Sequence, residues 1–266
     1  MNHEPDNLNI TPMPNTFTSS QIGEPSLDGI ILVDKPSGPT SHDVVDAIRR
    51  HFRLGKVGHA GTLDPQATGL LVIMIGRATK LANSLMAGDK AYEGTIRLGI
   101  TTDTQDAKGK VLSEADPGHV TEEILAAEMK KLTGDIMQIP PMVSAVKKDG
   151  VPLYKLARQG KTIERRPKLV RIHEFRLRSF KLPRADFFLR CSKGVYARTL
   201  CADIGEALGC GAHLESLNRL NSGEFSVSNA YSLEKLMAME RSQLAQIMVP
   251  MNRIICRAPG GNNEAV

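Results

Sequence analysis

The feature that most constrains the fold of this 266-residue chain is a Gly-rich polar segment followed by an apolar run. Residues 58–69 read GHAGTLDPQATG, and residues 70–75 read LLVIMI. The apolar run indicates a buried strand. Glycines permit tight backbone angles, and Pro65 biases Asp64 away from the helical conformation. The segment therefore predicts a rigid loop that displays Asp64 at the mouth of a sheet, as reactive groups often are. A turn without chemistry is the alternative explanation for an Asp-Pro pair in such a loop.

The hydrophobic pattern predicts an α/β or α+β core in which strands and helices are interleaved. Strands are predicted at 30–33, 70–75, 92–100, 169–178 and 185–191. Helices are predicted from about His42 with Ser41 as the N-cap, from Glu122 with Thr121 as the N-cap, over 198–208 with Gly209 as the terminator, and over 233–248.

The charge distribution predicts a surface that binds a polyanion. Residues 147–198 contain sixteen Lys or Arg and four acids, a net charge of +12, whereas the whole chain carries +5. Residues 1–28 hold four acids and no Lys or Arg. A short charge run would be an ordinary solvated face, but an excess over this length creates a positive field suited to nucleic acid. An RNA partner is therefore predicted, with binding that weakens as salt is added.

Composition and cysteine spacing argue against several other classes of protein. No apolar run is long enough to span a bilayer, and the first residues do not read as a signal peptide, so the cytoplasm is predicted. The four cysteines form no Cys-x-x-Cys pair and have no His at metal-ligand spacing: Cys191, Cys201, Cys210 and Cys256. Cys191 reads as a small core residue of a strand. No metal, no cofactor and no structural disulfide are predicted.

Further blocks of sequence accompany the Asp64 segment in order along the chain. They are LVDKPSGPTS at 32–41, DKAYE at 89–93 with LGITTDT at 98–104, QIPPMVSAVK at 138–147 with LYKLARQG at 153–160, CSKGVYARTL at 191–200, and GCGAHL at 209–214. With the Asp64 segment they resemble the motifs of the TruB family of tRNA pseudouridine synthases, over about residues 29–220.

The resemblance implies the pseudouridine synthase fold, a mixed and mostly antiparallel sheet flanked by helices. The catalytic domain is expected at 29–220, with an RNA-gripping insertion at about 136–167. Residues 1–28 are predicted to be a disordered acidic tail. Residues 221–266 are predicted to form a short C-terminal region, too short for the full RNA-binding PUA module that many TruB enzymes carry.

The implied activity is isomerisation of a uridine in the T-loop of tRNA, at position 55 of tRNA numbering. The N1–C1′ bond is broken, and the base is turned and rejoined through C5, which requires a carboxylate and neither a metal nor a redox agent. Asp64 matches the catalytic aspartate. Whether it adds to the base, adds to the sugar or abstracts a proton stays open. The expected partner is the T-arm of tRNA, bound by a monomer that needs no protein partner.

Six other residues match supporting positions in the family's active site: Arg198, Tyr92, Tyr196, His59, Leu217 and Lys35. Arg198 is expected to keep Asp64 ionised. Tyr92 is expected to stack on an extruded base, a contact worth about 1–3 kcal/mol. Tyr196 and Leu217 would line the pocket, His59 would occupy the space around the displaced base, and Lys35 would brace the loop.

Seven basic residues of the insertion are predicted to contact phosphates: Lys147, Lys148, Lys155, Arg158, Lys161, Arg165 and Arg166. Val143 departs from the family pattern, in which an aromatic residue usually follows Pro-Pro-Met. One stacking contact with RNA is therefore expected to be absent from the insertion.

Three other interpretations are compatible with parts of the sequence. A guide-dependent rRNA synthase of archaea and eukaryotes is related, but the compact first motif and short C-terminal region fit it less well. The chain could act chiefly as a tRNA-binding folding chaperone with incidental catalysis. A generic basic RNA-binding protein would require all the ordered motif matches to be accidental.

Overall fold

The computed structural model describes residues 27–144, 146–148 and 150–255, with only the backbone of Lys147 and Ile255. All but the last two residues of the predicted acidic tail, and Cys256, lie outside the described residues. Those last two residues contact the folded part of the chain. Leu27 packs against it, and the Asp28 carboxylate accepts hydrogen bonds from the backbone N–H and the Nε of Arg77.

The strands of the described residues are β1 (Gly29–Lys35), β2 (Val57–His59), β3 (Thr68–Ile75), β4 (Lys90–Leu98), β5 (Ile100–Thr102), β6 (Val111–Glu114), β7 (Gly134–Gln138), β8 (Lys147–Lys148), β9 (Val151–Pro152), β10 (Lys168–Lys181), β11 (Arg184–Cys191), β12 (Ala212–Ser222), β13 (Phe225–Ser226), β14 (Tyr231–Ser232) and β15 (Val249–Pro250). The helices are α1 (Ser41–His51), α2 (Ala82–Ala87), α3 (Glu122–Lys131), α4 (Leu153–Arg158), α5 (Ala197–Ala207), α6 (Leu233–Met237), α7 (Arg241–Ile247) and α8 (Met251–Ile255), with 3₁₀ turns at Gly76–Leu81 and Val227–Asn229.

One large sheet organises the molecule, in the order β14-β1-β3-β12-β4-β11-β10-β7, with β2, β13 and β15 attached at its side. Only the β1–β14 and β3–β12 pairs are parallel among its described pairings. The predicted mixed and mostly antiparallel sheet is confirmed. No helix within the described ranges is long and apolar enough to cross a membrane.

Helices cover the sheet through two hydrophobic clusters. The first joins α3 and α5 to β4, β10, β11 and β12, and it buries Cys191 as predicted. The second joins α1, α6 and α7 to β1 and β3. Leu217 on β12 packs against both clusters, at the point where the two halves of the sheet meet. Burying this apolar surface supplies most of the favourable free energy of folding.

Strand β3 is buried along both faces, which confirms the strand predicted from its apolar run. Its first residues run parallel to β12, with Thr68 opposite Asn218 and Gly69 opposite Arg219. Gly69 has a φ of 94°, and a Cβ there would lie 2.2 Å from the Asn218 side-chain oxygen and 2.4 Å from the Arg219 carbonyl. Glycine thus allows the Asp64 loop to lie directly against β12.

The structure corrects two predicted helices. The N-cap of α1 is Thr40 rather than Ser41, since the Thr40 side chain accepts from the Asp43 N–H and the Asp43 carboxylate accepts from the Thr40 N–H. The single helix predicted over 233–248 is two helices, α6 and α7. Helix α6 ends at Met237. Helix α7 then begins with its own capping box, formed by Glu240 and Gln243. The N-cap Thr121 and the α5 terminator Gly209 are as predicted.

The predicted insertion has two parts in the structure. Residues 134–138 form β7, which pairs with β10 as the last strand of the main sheet path. The following segment contains the small hairpin of β8 and β9 and the short helix α4. The domain boundaries at 29–220 and 221–266 stay predictions. Within the C-terminal segment, β14 and β15 both pair with β1.

Candidate active site

The loop that carries Asp64 is anchored from below by Lys35, at the end of β1. This side chain is fully buried, and its Nζ donates hydrogen bonds to the carbonyls of Pro36 at 2.9 Å, Pro65 at 3.0 Å and Ala67 at 2.8 Å. Three carbonyls match the three donors of an ammonium group. The backbone immediately after Asp64 is therefore fixed to the sheet through Lys35, whose bracing role in the reaction stays a prediction.

Ser41 holds the other side of the same loop. Its Oγ accepts from the Leu63 N–H at 2.9 Å and donates to the Leu63 carbonyl at 3.0 Å. Leu63 directly precedes Asp64, so the first residue of α1 fixes the residue next to the carboxylate. This use of the hydroxyl explains why Ser41 does not cap the helix.

The Asp64 carboxylate faces a buried arginine from α5. Arg198 Nη1 lies 3.5 Å from Asp64 Oδ2 and 3.4 Å from Asp106 Oδ2. The Arg198 side chain is 4% exposed, whereas that of Asp64 is 37% exposed. One cation thus lies between two carboxylates, and only Asp64 is open to solvent. Arg198 thus lies beside Asp64 in the structure, while its role in keeping Asp64 ionised stays a prediction.

The environment shifts the pKa of both groups at the loop. Burial raises the pKa of Asp64 above that of an ordinary carboxyl; Arg198 and Lys35 oppose this rise, and Asp106 adds to it. Burial lowers the pKa of Lys35 to about 8, against an upward pull from Asp64. Raised carboxyl pKa values in a cleft are a common mark of functional sites.

Hydrogen bonds that involve backbone groups hold Arg198 and Tyr196 in place. Arg198 Nη2 donates to the Val143 carbonyl at 2.6 Å, so Val143 supports the site through its backbone even though it departs from the family's aromatic residue. Gln138, the last residue of β7, donates to the Tyr196 carbonyl at 3.1 Å and accepts from the Tyr196 N–H at 2.8 Å. Gln138 is 3% exposed, and this two-point contact fixes the start of α5.

Asp64 opens into a cleft of about 1410 Å³ between the sheet and the insertion. This volume exceeds the range of about 300–1,000 Å³ usual for small-molecule pockets, which suits a segment of a larger ligand. The walls include Tyr92, Tyr196, His59, Leu217 and Arg198, so the structure brings these predicted residues together around Asp64. Lys35 lies beneath the loop.

His59 and Tyr92 are both shifted towards their neutral forms. Burial lowers the pKa of His59, and the charge of Arg219 lowers it further. Burial raises the pKa of Tyr92. Neutral rings in the wall of the cleft suit contact with an uncharged nucleobase.

Five of the seven predicted phosphate-binding residues fall into two groups. Arg158 and Lys161 line the cleft opposite Asp64, and the Arg158 guanidinium lies 5.5 Å from the ring centroid of Tyr154. Lys148, Lys155 and Arg166 are exposed but lie outside the cleft wall.

The other two predicted phosphate-binding residues, Arg165 and Lys147, belong to neither group. Arg165 is partly buried and donates to the Pro140 carbonyl at 3.1 Å, so part of its donor capacity is used within the insertion. Only the backbone of Lys147 is described.

Two residues of the site were not singled out from the sequence. Asp106 is 5% exposed and accepts from the Thr104 hydroxyl and the Lys108 N–H, which directs its second oxygen at Arg198. Arg219 lies two residues beyond Leu217 on the same strand face and lines the cleft. Strand alternation would have placed Arg219 beside Leu217, whereas the approach of the Asp106 loop to α5 has no local signal in the sequence.

Comparison with known proteins agrees with this geometry. The sequence model of the TruB family pseudouridylate synthase N-terminal domain matches residues 49–197, and that of the tRNA pseudouridylate synthase B C-terminal domain matches residues 198–255. A tRNA pseudouridine synthase B of Opitutus terrae is 48% identical over 225 residues, covering 85% of this chain and 93% of that protein. Another, of Syntrophotalea carbinolica, is 47% identical over 236 residues, covering 89% of this chain and 77% of that protein.

Among solved structures, a chain from a Cbf5-Nop10-Gar1 complex superposes with a TM-score of 0.66 at 29% identity. The match covers 85% of this chain and 60% of the Cbf5-complex chain. The fold and site define a pseudouridine synthase. Since the family models together match most of its length, the chain belongs to the TruB family of pseudouridylate synthases.

Proposed function

We propose that this protein is a tRNA pseudouridine synthase that isomerises the T-loop uridine at position 55, with Asp64 as the catalytic carboxylate. The observation that carries the proposal is the Asp64–Arg198 pair, open to the cleft on the carboxylate side and buried on the guanidinium side. A cation beside Asp64 favours the ionised carboxylate that the reaction requires. The relatives named above are tRNA pseudouridine synthases, which supports the choice of tRNA.

The cleft fits a nucleotide extruded from a folded RNA. On the neighbouring strands β4 and β12, Tyr92 lies opposite Arg219 and Leu217 lies opposite Gly94. Tyr92 and Leu217 both line the cleft with Asp64. A tyrosine ring offers a flat surface for stacking, worth about 1–3 kcal/mol. The base would lie against this surface while Asp64 acts at the base or at the ribose, and all three possible roles of Asp64 use its ionised form.

Basic residues surround the cleft where the RNA backbone would enter. Arg158 and Lys161 of the insertion, with Lys168 and Lys193 of the sheet side, line the opening. Such contacts position the RNA through its phosphates and carry no base selectivity. The protein would act in the cytoplasm as a monomer on tRNA alone, without a metal, a cofactor or a protein partner.

The test uses an unmodified tRNA transcript and purified full-length protein without additives. Pseudouridine is mapped at single-nucleotide resolution after incubation with the wild type, Asp64→Asn and Asp135→Asn. Asp135 is the matched control because its carboxylate is 55% exposed on the sheet edge, paired with Arg171. Size-exclusion chromatography of the same samples reports the oligomeric state.

We expect conversion of one T-loop uridine by the wild type and by Asp135→Asn, and a loss of at least about a hundredfold with Asp64→Asn. Unchanged activity of Asp64→Asn would overturn the assignment of Asp64. Tight tRNA binding without conversion by the wild type would instead favour the folding chaperone.

A further inference from the structure

A buried arginine, Arg219, connects the two ends of the loop that carries Asp64. Arg219 is 1% exposed. Nε donates to the Leu70 carbonyl at 2.7 Å, and Nη2 donates to the Gly61 carbonyl at 3.1 Å. These carbonyls lie on opposite sides of Asp64 in the sequence, so the planar guanidinium links the two ends of the loop.

The same guanidinium reaches the aromatic wall of the cleft. Arg219 on β12 lies directly opposite Tyr92 on β4 in the register of the two strands, and both residues line the cleft. Arg219 therefore holds the backbone that presents the carboxylate and is the cross-strand neighbour of the residue whose ring is proposed to stack on the base.

Arg219 forms no ion pair with an acid within the described part of the chain. A buried guanidinium is costly unless its donors are satisfied. Here the satisfying groups are the two loop carbonyls, so the burial of the guanidinium without water depends on the conformation of the loop. An arrangement that moved Gly61 or Leu70 away would leave buried donors unpaired, which disfavours alternative loop conformations.

We propose that Arg219 is a positioning residue that holds the Asp64 carboxylate and the Tyr92 ring in fixed relation for the isomerisation. This inference rests on the proposed function. It assigns Arg219 no contact with the reacting atoms. Misplacement of a reacting group by about 1 Å can cost roughly a hundredfold in rate, so a modest loosening of the loop is expected to slow the reaction strongly.

The experiment compares Arg219→Lys with Arg241→Lys. Arg241 is a matched control because its Nη1 also donates to two backbone carbonyls, those of Phe52 and Arg53, and it does not line the cleft. Single-turnover pseudouridine formation at saturating enzyme, tRNA dissociation constants and thermal melting are measured for the wild type and both variants. Hydrogen–deuterium exchange of peptides covering residues 58–71 reports on the loop directly.

For Arg219→Lys we expect a rate about tenfold to a hundredfold below wild type, tRNA affinity within about twofold, and faster exchange in the loop than in peptides of α5. For Arg241→Lys we expect the wild-type rate and unchanged loop exchange. A near wild-type rate for Arg219→Lys, or a rate loss matched by an equal loss of tRNA affinity, would overturn the inference. If Arg219→Lys does not fold, Arg219→Gln, which adds no unpaired charge, replaces it under the same criteria.

Failure of the inference is distinguishable from failure of the proposed function. If the wild type forms no pseudouridine in tRNA, the proposed function is wrong. If the wild type is active and Arg219→Lys is equally active with unchanged loop exchange, only the positioning role is wrong.

Discussion

Arg198 approaches Asp64 to 3.5 Å while remaining almost entirely excluded from solvent, so the charge that opposes protonation of Asp64 comes from the protein side of the cleft. The same guanidinium also faces the buried Asp106 at 3.4 Å. Two carboxylates sharing one cation leave the site sensitive to the loss of that cation. Electrostatic effects are strong here because the pair is partly removed from water.

Replacing Arg198 with Met is expected to destabilise the protein by about 3 kcal/mol or more, since it leaves the buried Asp106 without its cation. The acid limb of the pH–rate profile should also move to higher pH, because Arg198 no longer opposes the rise in the pKa of Asp64. Denaturant unfolding and single-turnover rates across pH measure both effects. Arg184→Met, which breaks the exposed pair with Glu215, should cost far less, because solvent screens an exposed pair. Equal costs for the two variants would contradict this view of the site.

Asp64→Asn is expected to make the folded protein more stable at neutral pH. Because burial raises the pKa of Asp64 in the folded state, the folded protein binds this proton more tightly than the unfolded chain does. Wild-type stability therefore falls as pH rises from about 3.9, the ordinary Asp value, through the higher folded pKa. The gain from Asn should appear above that window and vanish below it, as measured by denaturant unfolding across pH.

Glu215→Gln serves as a control of opposite sign. A hydrogen bond from Arg184 lowers the pKa of Glu215, so this carboxylate adds stability above its unfolded pKa and loses it as pH falls through the lower folded value. Glu215→Gln should therefore be less stable than wild type at neutral pH. A stability gain from both substitutions would show that the effect is not specific to Asp64.

The single-turnover rate is expected to fall as pH rises through about 8, the lowered pKa of Lys35. Deprotonated Lys35 retains two hydrogens for three loop carbonyls, so one anchor of the Asp64 loop is lost. Lys35→Met should be slower by roughly tenfold or more at neutral pH and should lack this basic limb. Lys90 also has its pKa lowered to about 8, so Lys90→Met should keep the limb. If only Lys90→Met abolishes it, the limb belongs to Lys90.

Arg158→Ala and Lys161→Ala are expected to weaken tRNA binding without changing the uridine that is modified. Both line the cleft, and each lost phosphate contact should reduce the slope of log affinity against log salt by about one. Filter binding at several salt concentrations measures this slope. Lys131→Ala, at the end of α3 and outside the cleft wall, should leave it unchanged, and a shift equal to that of Arg158→Ala would indicate a general charge effect.

Much of the fold followed from local patterns. The buried strand β3 appeared as a continuous apolar run. The alternation of residues predicted one strand over 92–100, but β4 ends at Leu98, where Gly99 turns the chain with a φ of 87°, and Ile100 begins β5. The cap of α1 was misplaced by one residue because Thr40 and Ser41 are both good caps. Thr40 is the cap because the Ser41 hydroxyl is bonded to the backbone of Leu63 instead, and that contact joins residues 22 positions apart.

The sequence by itself determined the succession of the main strands and helices along the chain and the identity of the Asp64 loop, because short-range patterns carry that information. The residues expected around Asp64 came from motif resemblance. Tertiary structure alone decided that Arg198 is shared with Asp106 and that Arg219 closes the Asp64 loop. Such contacts join residues more than ninety positions apart through side-chain directions set by packing. Their energies depend on burial, which no local stretch of sequence specifies.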